Sequence, residues 1–192
     1  MELNGKKIGF AMTGSFCTFK SVIKEMENLA ELDADIYPIM SYNAYSTDTR
    51  FGCAKDINEK IKNICKKEII YTVKDAEPIG PKGYLDILLI APATGNTLSK
   101  LASGVADTSV TMAAKAHLRN KKPVLIAVST NDGLSNAAKN IGTLLNAKNI
   151  YFVPFGQDDF INKPTSLVAK MDMIIPSLYS SLDKEQIQPV LA

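Results

Sequence analysis

Residues 85–97 read Leu-Asp-Ile-Leu-Leu-Ile-Ala-Pro-Ala-Thr-Gly-Asn-Thr, an apolar run that ends abruptly in small, hydroxyl and amide side chains. Helical spacing of apolar residues begins directly after this run. Such a run is typical of a β-strand covered on both faces, and in open α/β sheets ligands bind where strands give way to helices. We therefore expect residues 92–97 to line a site for a planar ligand that is held by hydrogen bonds close to the backbone.

The same change from an apolar strand to a helix recurs along the chain. The patterns predict strands over 7–12, 35–40, 85–91, 123–128 and 150–154, and helices over 16–30, 57–64, 96–102, 108–119, 134–145 and 165–182. Residues 78–83, rich in proline and glycine, are predicted to form a loop. Because strands and helices alternate, we expect one α/β domain over residues 1–192, with a doubly wound, Rossmann-like parallel sheet and helices on both faces.

The composition excludes several classes of function. The chain has 192 residues, of which 46% are hydrophobic, and a net charge of +2, so nothing in its charge favours nucleic acid or an anionic membrane. Cys17, Cys53 and Cys65 have no CxxC spacing, which argues against a disulfide framework and against a metal site. With neither a signal peptide nor a membrane span in the pattern, the expected location is the cytoplasm.

Two strand ends contain residues suited to a phosphate. Thr13-Gly14-Ser15-Phe16 follows the first strand and lacks the three glycines of a dinucleotide fingerprint, although one glycine before a helix N-terminus still favours an anion. Ser41 stands at the second strand end, where a dinucleotide fold would place a ribose-binding carboxylate. Two interpretations remain open: Ser15 and Ser41 contact a monophosphate, or Ser15 caps a helix and Ser41 ends a strand.

Polar residues also follow the third and fourth strands. Asn96 suits a helix cap, and Thr94 and Thr97 suit backbone contacts in the same turn; the alternative is that Asn96 faces the polar edge of a ligand. Ser129 and Thr130 repeat the pattern after the next strand. Because polar residues recur at successive strand ends, we favour a ligand cleft.

The segment 91–97, followed by Lys100-Leu101-Ala102, Gly104 and Ala106-Asp107, resembles the signature of the FMN-binding flavoprotein family, which contains cysteine decarboxylases and flavin prenyltransferases. The resemblance implies a flavodoxin-like domain that assembles into trimers or multiples of trimers, with FMN at a subunit interface. The cofactor-binding residues that it implies are Gly14, Ser15, Phe16, Ser41, Pro92, Ala93, Thr94, Asn96, Thr97, Ala106, Asp107, Ser129 and Thr130.

One branch of the family is similar over most of the chain, most clearly at residues 49–52, 75–81, 115–120 and 153–158. This similarity implies an oxidoreductase subunit that converts dihydrodipicolinate, a small dicarboxylate, to dipicolinate during sporulation. It also implies a partner subunit that resembles an NADP-dependent dehydrogenase. The alternatives are a stand-alone FMN-dependent decarboxylase or prenyltransferase, and a non-catalytic flavin-binding assembly module.

One departure from the family argues against decarboxylation. The cysteine decarboxylases have a histidine before the Pro-Ala-x-x-Asn-Thr stretch, whereas the only histidine of this chain is His117, after it. A general base must reach the proton that it moves, so we expect His117 to be a satisfied helix residue. No catalytic residue is assigned.

Arg50 and Cys17 each allow two interpretations. Arg50 follows a hydroxyl-rich loop, and an arginine can bind a carboxylate through two hydrogen bonds, so it either holds one substrate carboxylate or forms an ordinary surface salt bridge. Cys17 opens the first helix, where a thiolate would be favoured. We expect Cys17 to be a small apolar filler instead.

Overall fold

Five parallel strands form the centre of the molecule, which the computed structural model describes over residues 3–192. The strand order is β2-β1-β3-β4-β5, the order of flavodoxin-like folds. The strands are β1 Lys7–Met12, β2 Asp35–Met40, β3 Ile87–Ala93, β4 Val124–Thr130 and β5 Ile150–Phe152.

Helices cover both faces of the sheet, and those predicted over 16–30, 57–64, 96–102 and 108–119 are confirmed with small shifts at their ends. The helix predicted over 134–145 begins only at Ala138. Their bounds are α1 Phe19–Glu31, α2 Tyr42–Ser46, α3 Ala54–Cys65, α4 Val73–Ala76, α5 Ile79–Lys82, α6 Gly95–Ala102, α7 Ser109–Arg119, α8 Ala138–Leu145 and α9 Ile174–Leu182. Within residues 3–192, no helix combines the length and the hydropathy that a bilayer crossing requires.

The core lies on both sides of β3. All seven residues of this strand are buried, as expected for a strand covered on both faces. Complete burial of a leucine or isoleucine side chain contributes about 1.5–3 kcal/mol. Burial therefore holds β3 firmly in the core, and the polar residues that follow it are positioned by this strand.

The segment 165–182, predicted as one helix, is helical only in its last part, α9 Ile174–Leu182. Its first part is the strand β7, Leu167–Ala169, which pairs antiparallel with the end of β4 and with β6, Phe155–Gly156. The parallel partner β5 pairs only with the first part of β4, so the open edge beyond it is covered by β7. A short apolar run does not distinguish a strand from a helix by its period.

The prediction that residues 78–83 form a loop is also wrong, because α5 occupies Ile79–Lys82. Pro81 lies in the first turn of this helix, where its missing N–H removes no helical hydrogen bond. Gly83 ends the helix with a left-handed φ of 54°.

Candidate functional site

A cleft of about 620 Å³ lies at the carboxyl ends of β1, β3 and β4. This volume is within the range of about 300–1,000 Å³ that is common for small-molecule sites. Seven of the cofactor- and substrate-binding candidates from the sequence line it: Gly14, Ser15, Phe16, Arg50, Thr94, Ser129 and Thr130. The strand ends therefore meet as the switch-point geometry of α/β sheets requires.

Hydroxyl groups join the three strand ends to one another. Ser15 Oγ lies 2.7 Å from Ser129 Oγ and makes no capping hydrogen bond to its own helical turn. Thr13 Oγ1 donates to the Pro92 carbonyl at 2.7 Å and accepts from the Thr94 N–H at 3.0 Å. These hydrogen bonds fix the positions of the strand ends at the base of the cleft. Thr13 is buried and links β1 to β3, a role that the sequence did not predict.

Six other residues implied by the family resemblance do not line this cleft. Pro92, Ala93 and Thr97 are buried in β3 and in the first turn of α6, whereas Asn96 and Asp107 are exposed and Ala106 is partly exposed. Asp107 pairs with Lys100 Nζ at 2.7 Å and 2.8 Å. This chain by itself therefore brings only part of the implied set together.

Ser41 also lies outside the cleft and acts as a helix cap. Its side chain accepts a hydrogen bond from the Ala44 N–H at 3.3 Å, at the start of α2. Its own N–H donates to the Met12 carbonyl at 3.0 Å. Neither open interpretation of Ser41 anticipated this capping role, and Ser15, for which capping was the alternative, makes no side-chain cap hydrogen bond.

Gly95 allows the start of α6 to approach the end of β4 closely. A Cβ atom at Gly95 would lie 2.6 Å from Asp132 Oδ1 and 2.7 Å from Thr130 Oγ1. These two oxygens form a 2.5 Å hydrogen bond in which the Thr130 hydroxyl donates to the Asp132 carboxylate. Only glycine at position 95 leaves room for this hydrogen-bonded pair. The Thr130 side chain, which lines the cleft, therefore keeps its position.

We expect Gly95→Ala to lower the free energy of unfolding by about 2 kcal/mol, because the added methyl group overpacks this contact. Urea unfolding at neutral pH measures the loss. Gly142→Ala in α8 is the control: a Cβ there meets nothing within 4 Å, so it should be neutral or slightly stabilising. A Gly95→Ala protein as stable as the wild type would contradict the close approach.

Charged groups surround the mouth of the cleft. Arg50, Lys163 and Asp158 line it, and the Ser166 side chain holds the pKa of Asp158 below its usual range, with Lys163 acting in the same direction. Within residues 3–192, Arg50 makes no ion pair, so the expected alternative of a surface salt bridge is wrong. Its guanidinium instead lies 4.9 Å from the centre of the Phe51 ring.

The expectation for Cys17 is also wrong. Cys17 is exposed and lines the cleft, whereas an apolar filler would be buried. Its Sγ lies 3.8 Å from Ser15 Oγ. The first turn after β1 leaves the thiol at the surface because Phe19, and not Cys17, faces the core.

His117 lies in α7 and does not line the cleft. It is buried, as expected for a structural residue, but its Nε2 has no hydrogen-bond partner among the described residues, so it is not fully satisfied. Burial, assisted by the Lys122 charge, lowers the pKa of His117 to about 4. The neutral imidazole is therefore the form compatible with this fold.

The lining fits a flavin mononucleotide. The Ser15 hydroxyl and the N–H groups in the turn after Gly14 are groups of the kind that donate hydrogen bonds to a phosphate. A Cβ at Gly14 would meet only the Phe16 ring, at 3.6 Å and beyond, so there is open space beside this turn. Thr94 and Thr130 add hydrogen-bonding groups suited to the edge of a planar ring.

The chain is similar in sequence to known proteins over most of its length. A sequence profile of the family described as Flavoprotein matches residues 1–175. The B subunit of dipicolinate synthase from Bacillus subtilis (strain 168) is 46% identical over 190 residues, which cover 99% of this chain and 95% of that protein.

Solved structures confirm the flavodoxin-like α/β fold. The crystal structure of the dipicolinate synthase B subunit from Bacillus halodurans C has a TM-score of 0.92 and 46% identity, and the match covers 100% of this chain and 98% of that one. An FMN-dependent cysteine decarboxylase, SpaF, has a TM-score of 0.69 at 18% identity over 95% of this chain and 98% of its own. At that identity the likeness shows a shared fold alone.

Proposed function

Since this chain belongs to the Flavoprotein family, we propose that it is the flavin-binding subunit of a dipicolinate synthase. In this proposal it oxidises dihydrodipicolinate to dipicolinate for spore formation, together with an NADP-binding dehydrogenase that resembles the A subunit of dipicolinate synthase. The observation that carries the proposal is the 46% identity with the dipicolinate synthase B subunit over 99% of the chain. Fold alone would not support a reaction.

The cleft residues take defined roles in this proposal. Gly14 and Ser15 would hold the FMN phosphate, and Thr94, Ser129 and Thr130 would line the ring system. When bound, FMN supplies a redox centre that can accept a hydride. The chain supplies position: the Ser15–Ser129 hydrogen bond keeps two strand ends at a fixed separation, and Arg50 would orient the substrate through one carboxylate.

We also propose that copies of the chain assemble into trimers or multiples of trimers, with FMN at the interface. Asn96 and Asp107 are exposed, outside the cleft of their own chain. Val105, close to Asp107 in sequence, is 43% exposed, which leaves an apolar side chain available for a contact between copies. Assembly would bring Asn96 and Asp107 to the cofactor of a neighbouring copy.

The proposal predicts a yellow protein that releases FMN on denaturation and forms dipicolinate only with its partner. The purified chain, the dehydrogenase-like partner and a mixture of the two are each given dihydrodipicolinate and NADP, and dipicolinate is measured by its ultraviolet absorbance. Light scattering of the same samples gives the oligomeric state.

Three results would contradict the proposal. Full activity of the chain alone would indicate a stand-alone enzyme, and a partner whose rate does not change on mixing would indicate a non-catalytic assembly module. A colourless protein that takes up no added FMN would remove the cofactor from the proposal.

A further inference from the structure

The cleft contains a second cation that no sequence pattern had singled out. Lys163 lines the cleft, and its Nζ lies 3.6 Å from Asp158 Oδ2, with 55% of its side chain exposed. A charge-assisted hydrogen bond between such groups is typically about 2.7–2.9 Å long. The ammonium group therefore keeps N–H donors that a ligand in the cleft can use.

The backbone around Lys163 is fixed by its own loop. The Lys163 N–H donates to the Asp159 carbonyl at 2.7 Å, and the Lys163 carbonyl accepts from the Ser166 N–H at 3.0 Å. The Gln157 side chain donates to the Pro164 carbonyl at 2.8 Å and closes the loop. Its end continues into β7, which pairs with β4, so Lys163 is anchored to the sheet that carries Ser129.

Arg50 reaches the same cleft from a different loop. Thr49 and Gly52 exchange two backbone hydrogen bonds of 3.1 Å, which hold Arg50 and Phe51 at the tip of a tight turn. Among the described residues that line the cleft, two are cationic, Arg50 and Lys163, and one is a carboxylate, Asp158. The lining thus has an excess of one positive charge and two separate groups that can bind an anion.

We propose that Arg50 and Lys163 each bind one of the two carboxylates of the substrate, and that this pair selects a dicarboxylate over a monocarboxylate. The inference rests on the proposed function, since that function supplies the dicarboxylate. Arg50 offers a planar fork for two hydrogen bonds, whereas Lys163 offers a point charge on a flexible stem. A monocarboxylate satisfies only one of the cations.

The test compares pyridine-2,6-dicarboxylate with pyridine-2-carboxylate on the full chain with FMN in excess, using isothermal titration calorimetry. Lys163→Gln should weaken binding of the dicarboxylate about tenfold, the scale of one hydrogen bond to a charged group. It should leave the affinity for the monocarboxylate and the FMN content unchanged. Lys163→Arg should retain the preference for the dicarboxylate, and Lys170→Gln, an exposed lysine outside the cleft lining, should behave as the wild type does.

Several results would overturn the inference. The first is an unchanged affinity of Lys163→Gln for the dicarboxylate, and the second is an equal loss of affinity for the dicarboxylate and the monocarboxylate. The third is a wild type that binds no dicarboxylate. The fourth is a loss of FMN from Lys163→Gln, which would assign the lysine to the cofactor. A wild type that shows the predicted selectivity yet forms no dipicolinate with its partner would support the cation pair and contradict the proposed reaction. The two failures are therefore distinguishable.

Discussion

Replacing Ser15 with aspartate is expected to lower the affinity for FMN at least about 100-fold. Ser15 follows Gly14 in the turn after β1 and lies at the meeting point of two strand ends. A carboxylate about 4 Å from a phosphate costs about 4 kcal/mol at an effective dielectric constant of about 20, which is more than enough for a 100-fold effect. Fluorescence titration of the apoprotein with FMN measures the change.

Two further variants separate charge from position. Ser15→Ala removes the hydroxyl that lies 2.7 Å from Ser129 Oγ and adds no charge, so its affinity for FMN should fall only several-fold. Ser21→Asp introduces the same charge on the exposed face of α1, outside the cleft lining, and should bind FMN as the wild type does. Normal FMN affinity in a folded Ser15→Asp protein would show that the phosphate is not held at this strand end.

Acid is expected to destabilise the protein through His117. The pKa of this residue falls from an ordinary 6.5 to about 4 in the folded chain, so the unfolded state binds the proton more tightly than the native state does. The stability that depends on neutral His117 is therefore fully present above pH 6.5 and is lost as the pH falls toward 4. The loss from this residue is on the order of 3 kcal/mol at about pH 4.

Unfolding of the wild type and of His117→Gln by urea at several pH values between about 7.5 and about 4 measures this contribution. The free energy of unfolding should fall less steeply with acid in His117→Gln, because glutamine does not titrate. NMR titration of the carbon-bound protons of the imidazole gives the pKa directly in the wild type. Parallel stability curves for the two proteins, or an imidazole with an ordinary pKa, would contradict the prediction.

Of the two cations in the cleft, the sequence predicted only one. Arg50 is predictable as a ligand-binding residue because it follows a run of hydroxyl residues, which is a local pattern. Lys163 carries no such signal, since nothing near it in sequence shows that residues 157–166 border the cleft. Only the antiparallel pairing of β7 with the end of β4 brings that loop to the mouth of the cleft.

Ser15 and Ser41 illustrate the same limit. Both are serines at the ends of neighbouring strands, and no local pattern separates a helix cap from a ligand contact. In the structure Ser41 caps α2, whereas Ser15 turns away from its own helical turn toward Ser129. The difference depends on a strand that lies more than a hundred residues further along the chain.

By itself, the sequence determined the parallel α/β architecture, the family and the strand ends at which polar residues collect. These features depend on local patterns: apolar periodicity, the length of buried runs and a contiguous motif at residues 91–107. Tertiary structure alone decided which of the polar groups share one cleft, that residues 167–169 form a strand, and that His117 is buried with a nitrogen that has no partner among the described residues. Those outcomes depend on contacts between distant segments, whose partners no local pattern specifies.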